Sequence, residues 1–257
     1  MNASINSSDT IDSQNLQNQT SASWSPQEAT EGKAVYVQSM FNRIAGTYDL
    51  LNDCISFGMH RFWKNKGCDL LQLKPGQTVL DVCTGTGDLL PRLAKRVGPQ
   101  GQVIGLDFSE EMLEVGKKRF PALQNIQWQQ GDAMALPFED NTFDGAIVSF
   151  GLRNVSDIQQ TVNEMARVVK PGGWVVNLDT NPKPAMPGFK LYFSMLMPMI
   201  GQLFSMDKKA YQYLSESTWH FLTPAELGEI FIQAGLKQVE VLSLSMGAVS
   251  IQRGQVS

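Results

Sequence analysis

Short apolar runs alternate with amphipathic stretches between residues 79 and 252, a pattern that predicts an α/β fold built on a doubly wound sheet. Three observations carry that expectation. The first is Val79-Leu80-Asp81-Val82-Cys83-Thr84-Gly85-Thr86-Gly87-Asp88, where a buried-strand pattern runs straight into two glycines that allow a tight turn and close approach to a ligand. The second is an acid at each of three successive strand-like runs, Asp81, Asp107 and Asp132. The third is their separation, which is that of βαβ units.

The elements follow in order. Residues 1–33 are rich in Ser, Asn, Gln and Thr, with no basic residue before Lys33, and cannot bury enough apolar surface to offset ordering. They are expected to be a disordered tail, an inert linker or a partner-binding segment, and they carry neither a secretory signal pattern nor a transit peptide pattern. The ordered domain is expected over 34–254. Val37, Met40, Phe41, Ile44 and Ala45 share one helical face, and the aromatic-rich stretch from Tyr48 to Lys64 continues it. This region reads equally as a core-packing helix pair or as a lid.

After the glycine loop, Asp88 to Ala94 suits a helix packed back on the sheet. Gln102 to Asp107 reads as the second strand, Ser109 as an N-cap with Glu110 and Glu111 in the first turn, and Ile126 to Gln130 as the third strand. Phe143 to Phe150 is strand four. Ser156 is expected to cap a helix with the stripe Ile158, Val162, Met165, Ala166 and Val169, stopped by Lys170-Pro171-Gly172-Gly173, with strand five at Trp174 to Leu178. An apolar insertion near 185–206 holds five of the twelve methionines, is broken by Pro198 and Gly201 and is too short to span a membrane. It is a candidate wall for a greasy substrate or an inserted helix that merely packs. Thr223-Pro224-Ala225-Glu226 is a capping box, and a hairpin around Met246-Gly247 closes the chain, giving seven strands with the last antiparallel.

Composition excludes several classes. A net charge of -4 argues against nucleic acid as the main partner, because binding phosphates needs a basic face. Cys54, Cys68 and Cys83 have no C-x-x-C spacing and only His60 and His220 to join them, so no metal site is expected and the thiols read as reduced, in a cytoplasmic protein. The glycine loop lacks the third glycine of a dinucleotide fingerprint, where Leu90 stands, and no Gly-Lys-Ser/Thr follows it. What remains is the D-x-x-x-G-x-G pattern of S-adenosylmethionine (SAM) sites, with Asp81, Gly85 and Gly87 as cofactor-binding candidates. Asp107 is expected to accept from the ribose hydroxyls and Asp132 from the adenine amino group. The closing hairpin is also typical of SAM-dependent methyltransferase sheets.

Taken together, the chain resembles the ubiquinone/menaquinone biosynthesis C-methyltransferase family of class I SAM-dependent methyltransferases, from about Val37 to Gly254. The resemblance rests on Tyr48-Asp49-Leu50-Leu51-Asn52-Asp53, on Ser56 to Lys64, on Ser149-Phe150-Gly151-Leu152-Arg153-Asn154-Val155 and on Tyr211 to Ser217. It implies methyl transfer from SAM to a ring carbon of a polyprenylated quinol, demethylmenaquinol in the first place, in menaquinone or ubiquinone biosynthesis. It also places cofactor contacts at Thr86, Asp107, Asp132, Ala133 and Ser149. Asp132 stands where some relatives have asparagine, which keeps an acceptor at the adenine.

Such a transfer is an in-line displacement, served chiefly by alignment of the two reactants. The ring carbon becomes nucleophilic when the quinol loses a proton. Arg153, just after strand four, is expected to stabilise the resulting oxyanion, with a structural ion pair as its other reading; His60 and Tyr48 are the candidate proton acceptors. A peripheral membrane contact and a homodimer are both open. The competing readings are a SAM methyltransferase of another lipid-like small molecule and a non-catalytic SAM-binding protein.

Overall fold

The computed structural model describes residues 37, 39–184, 195, 213 and 216–257. The expected tail lies outside the described residues, as does the insertion near 185–206 apart from Met195. Residues 39–44 are helical, followed by α1 (Tyr48–Ser56) and α2 (Met59–Leu70). The alternating core comprises β1 (Thr78–Val82), α3 (Leu90–Val97), β2 (Gln102–Asp107), α4 (Glu110–Arg119), β3 (Ile126–Gln130), β4 (Phe143–Ser149), α5 (Ile158–Val168) and β5 (Val169–Thr180). The chain ends with α6 (Pro224–Gln233), β6 (Lys237–Leu244) and β7 (Val249–Gln255).

The seven strands lie in the order β3-β2-β1-β4-β5-β7-β6. The first five are parallel, and β7 runs antiparallel between β5 and β6. β1 and β4 are therefore the neighbours at which the winding reverses, the place where such sheets open a crevice at their carboxyl ends.

Both faces of the sheet are covered, because its central strands β1, β4 and β5 bury successive residues on both sides. On one face Leu80, Val148 and Val175 pack with Val162 and Met165 of α5 and with Leu227 and Phe231 of α6. On the other, Val79, Ile147 and Val176 pack with Trp63 and Cys68 of α2 and with Leu93 and Val97 of α3. A third cluster joins Val37, Met40, Phe41 and Ile44 to Leu51 of α1 and Met112 of α4. The stretch 37–70 thus divides: α2 packs on the sheet, while the part before it packs over α4 and beside the crevice.

Local sequence sets most of the helix ends. Ser109 caps α4 by accepting from Met112 N at 3.1 Å, and Thr223 and Glu226 form the reciprocal capping box of α6. Two expectations are corrected. α5 is capped by Asp157, whose Oδ1 accepts from Gln160 N at 2.9 Å, rather than by Ser156. Lys170 to Gly173 continue into β5 instead of forming a loop, because Gly172 N donates to Val256 O and Val256 N to Gly173 O.

Candidate active site

The crevice is framed by two strand ends that turn the chain aside in the same way. Cys83 after β1 and Phe150 after β4 both hold positive φ, 55° and 57°, and both line the cavity. A non-glycine residue in that conformation costs about 1–2 kcal/mol, so the surrounding structure must hold it there. Part of that restraint is visible in the loop. Thr84 Oγ1 donates to Asp81 Oδ2 at 2.5 Å, Gly85 N donates to Asp107 Oδ2 at 2.8 Å, and Ser109 N donates to Asp107 Oδ1 at 3.0 Å. Gly87 has φ 77°, and a Cβ there would sit 2.3 Å from the Trp128 ring, so its part is to let the loop close on β3. It does not line the cavity, whereas Gly85 does.

The expected acids converge on this cavity. Asp81 is 1 % exposed and lines it, and Asp81 Oδ1 has no hydrogen-bond partner among the described residues. Burial pushes its carboxyl up to about 7, against the downward pull of the Thr84 hydroxyl and of Lys64. Burial also raises Asp107, while the N–H groups of Ser109, Gly85 and Phe108 pull it part of the way back. Asp107 lines the cavity, and its carboxylate keeps further lone pairs after these backbone bonds. Asp132 is exposed at the rim, its Oδ1 accepting from Met134 N at 2.8 Å, with Ala133 buried beside it. Ser149 lines the same wall, and its buried Oγ likewise finds no partner.

Thr86 is also on the wall, but its hydroxyl is engaged, donating to Asp49 Oδ1 at 3.0 Å. Asp49 Oδ2 meets Arg119 at 2.5 Å, so the loop, α1 and α4 are tied at one point. Tyr48, one residue earlier on α1, lines the cavity and stacks edge-on against Phe41 at 5.7 Å.

The other two residues expected to act on the acceptor are set back from the described wall. His60 is buried on α2, its Nδ1 2.8 Å from Ser56 Oγ. Burial and then Lys64 hold its pKa below the usual value, against Asp88 and Asp53. Arg153 lies behind Phe150, 5.7 Å from the ring centre, and pairs with the fully buried Asp179 of β5 at 2.7 Å. Burial works against its charge, but Asp179, with Tyr48 and Tyr213, outweighs that and raises its pKa.

Lys64 is a wall residue to which the sequence reading gave no role. Its side chain is 8 % exposed, with Nζ 3.0 Å from Asp88 Oδ2. The signal was present in the α2 motif: Lys64 follows His60 by four residues and so shares its helix face.

The donor set fits SAM. Two buried oxygens without partners, Asp81 Oδ1 and Ser149 Oγ, face a cavity lined by carboxylates, by one lysine and by the apolar Phe108, Ala133 and Met134. Carboxylates suit an ammonium, a sulfonium and a ribose diol, and the apolar side chains suit a purine face.

A model described as the ubiE/COQ5 methyltransferase family matches residues 28–256. The demethylmenaquinone methyltransferase of Desulfitobacterium hafniense (strain Y51) is 47% identical over 230 residues, 87% of this chain and 90% of that protein. The enzyme of the same name from Staphylococcus carnosus (strain TM300) is 45% identical over 222 residues, 85% of this chain and 92% of its own length. Among solved structures, a SAM-dependent methyltransferase from Aquifex aeolicus aligns with TM-score 0.58 at 24% identity, covering 76% of this chain and 89% of that one. A possible histamine N-methyltransferase from Thermotoga maritima aligns with TM-score 0.58 at 20% identity, over 86% of this chain and 100% of that one.

Proposed function

The chain belongs to the ubiE/COQ5 methyltransferase family, and from that premise we propose that it moves the methyl group of SAM to a ring carbon of a polyprenylated demethylmenaquinol. The observation that carries the substrate is the 47% identity to a demethylmenaquinone methyltransferase over 90% of that protein. The site supports it with a cavity whose polar wall suits SAM at the switch point of the sheet.

The cofactor supplies an electrophilic methyl group, and the residues of the chain bind, align and manage one proton. Asp107 is assigned to the ribose hydroxyls, Asp132 and Ala133 to the adenine, Asp81 to the cationic amino-acid end, and Gly85, Thr86 and Ser149 to the close backbone approach and the wall around them. Holding carbon and methyl in line can be worth about 7–11 kcal/mol, so alignment is the main task. α1 and the residues before it act as a lid, with Tyr48 reaching the acceptor from above. Tyr48 is assigned the hydrogen bond to the quinol hydroxyl that must lose its proton. Arg153 is assigned a supporting role through Asp179 and Phe150, and His60, held neutral by burial, helps set the α2 face that carries Lys64.

A polyprenylated acceptor resides in a bilayer, and peripheral membrane contact is part of this proposal. Among the described residues no helix is long and apolar enough to cross a membrane. Large apolar side chains are nevertheless exposed at Leu50, Phe57, Met59 and Phe62 along α1 and α2. The test is turnover of the purified protein with methyl-deuterated SAM and either demethylmenaquinol or a methoxybenzoquinol in detergent micelles. A menaquinol heavier by the labelled methyl is expected. Binding of SAM with no labelled naphthoquinol formed would overturn the substrate assignment.

A further inference from the structure

We propose that Lys64 holds the carboxylate of the cofactor's amino-acid end, opposite Asp81, which takes its ammonium. The inference rests on the reading of the cavity as a SAM site and adds a contact to it. SAM has a single anionic group. Among the described residues that line the cavity, Lys64 is the one Lys, Arg or His side chain, against Asp81, Asp88, Asp107 and Asp132.

Two features free Lys64 for this part. Its present partner, Asp88, is also met by Arg92 at 3.0 Å and by Arg119 at 3.6 Å, so Asp88 remains compensated when Lys64 turns to a ligand. Burial works upward on the Asp88 carboxyl, yet Lys64 and Arg92 outweigh it and hold the group well below the usual range, so Asp88 is held by two cations and not by Lys64 alone. The lysine itself is too buried to be satisfied by water, so it can exchange Asp88 only for another anion.

Position selects the ligand group. Lys64 Nζ stands 5.9 Å from the centre of the Phe150 ring, and Lys64 and Asp81 line the same cavity. The lysine therefore shares with Asp81 the end of the crevice between the glycine loop and β4. An amino acid presents an ammonium and a carboxylate on adjacent atoms. Asp81 Oδ1, without a partner among the described residues, and the Lys64 ammonium are the complementary pair.

The test is calorimetric binding of three probes: SAM, decarboxylated SAM, which lacks only the carboxylate, and methylthioadenosine, which lacks the whole amino-acid end. The native protein is expected to prefer SAM over decarboxylated SAM by about tenfold to a hundredfold, the range for a charged hydrogen bond. In Lys64→Met that preference collapses to within about threefold while methylthioadenosine affinity stays unchanged. Lys64→Arg retains most of the preference, and Asp88→Asn, which removes the rival carboxylate, enlarges it. No preference in the native protein overturns the proposal even if no variant folds. So does a preference that survives in Lys64→Met, or one that is unchanged in Asp88→Asn. A Lys64→Met variant that binds SAM normally but turns over slowly would place the lysine on the quinol instead, and would also overturn it. Failure of the native protein to bind methylthioadenosine would strike the SAM-site reading itself.

Discussion

Asp81 is a buried carboxyl whose titration the fold shifts far from its ordinary value, and the sign of its effect on stability can be worked out. Its carboxyl titrates near 3.8 in the unfolded chain and near 7 in the fold, where Thr84, Lys64, Asp107 and Asp88 surround it and burial dominates. Below about pH 4 the group is neutral in both states and its contribution is whole. Between about pH 4 and pH 7 the unfolded chain gives up the proton first, so stability falls with rising pH, by about 4 kcal/mol over the window. Thermal melts of the cofactor-free protein should therefore show a midpoint that declines across this window, and Asp81→Asn should flatten the decline; equal slopes would refute it. Arg153 poses the opposite case, a buried charge already matched. Arg153→Ala leaves the buried Asp179 with its Thr180 hydrogen bonds but without its ion-pair partner, which costs about 3–5 kcal/mol. Denaturant titration should show that loss and a substantial recovery in Arg153→Ala/Asp179→Asn. A stable single variant with depressed turnover would return Arg153 to the acceptor.

At the scale of elements, what could be read from the sequence was what is decided locally. The caps at Ser109 and Thr223 are bonds within three residues, and both form as the pattern indicates. The α5 cap was missed by one position because Ser156 and Asp157 are both competent caps, and only the register of Val162 and Met165 against the sheet selects between them. The start of β5 was missed for a related reason. Lys170-Pro171-Gly172-Gly173 looks like a stop, yet its pairing partner, Val256, lies at the far end of the chain. The choice between a lid and a core pair for 37–64 cannot be made locally because the segment divides: Trp63 packs on the sheet, while Val37, Phe41 and Tyr48 line the cavity. The acids of the site were legible because each sits at a strand end. Lys64 and the Asp49–Thr86–Arg119 tie were not, since they join residues up to 70 positions apart.

For the molecule as a whole, the topology brings the cavity and a set of exposed apolar side chains to the carboxyl edge of the sheet. β7 runs antiparallel to both β5 and β6, so β6 ends at the same edge of the sheet as the parallel strands. There the turn carrying Met246 is tied to α2 by Trp63 Nε1 donating to Ser245 Oγ at 2.8 Å. Met246 is 68% exposed, Phe57 75% and Phe62 58%, and both Phe57 and Met246 are held outward on positive-φ backbone. A soluble surface seldom gathers such side chains without a partner to cover them, and a bilayer that holds the acceptor is a partner of matching chemistry. Moving one phenylalanine from water into lipid is worth about 1.5–3 kcal/mol, so Phe57→Ser with Phe62→Ser should lower vesicle association at least tenfold, by roughly the constants for apolar transfer. Flotation with vesicles of neutral phospholipid, alongside SAM titration of the same preparations, separates a docking role from a folding defect. The expected double variant binds SAM as the native protein does, turns over detergent-dispersed quinol normally and fails on quinol embedded in vesicles. Undiminished flotation would move the membrane contact away from this edge.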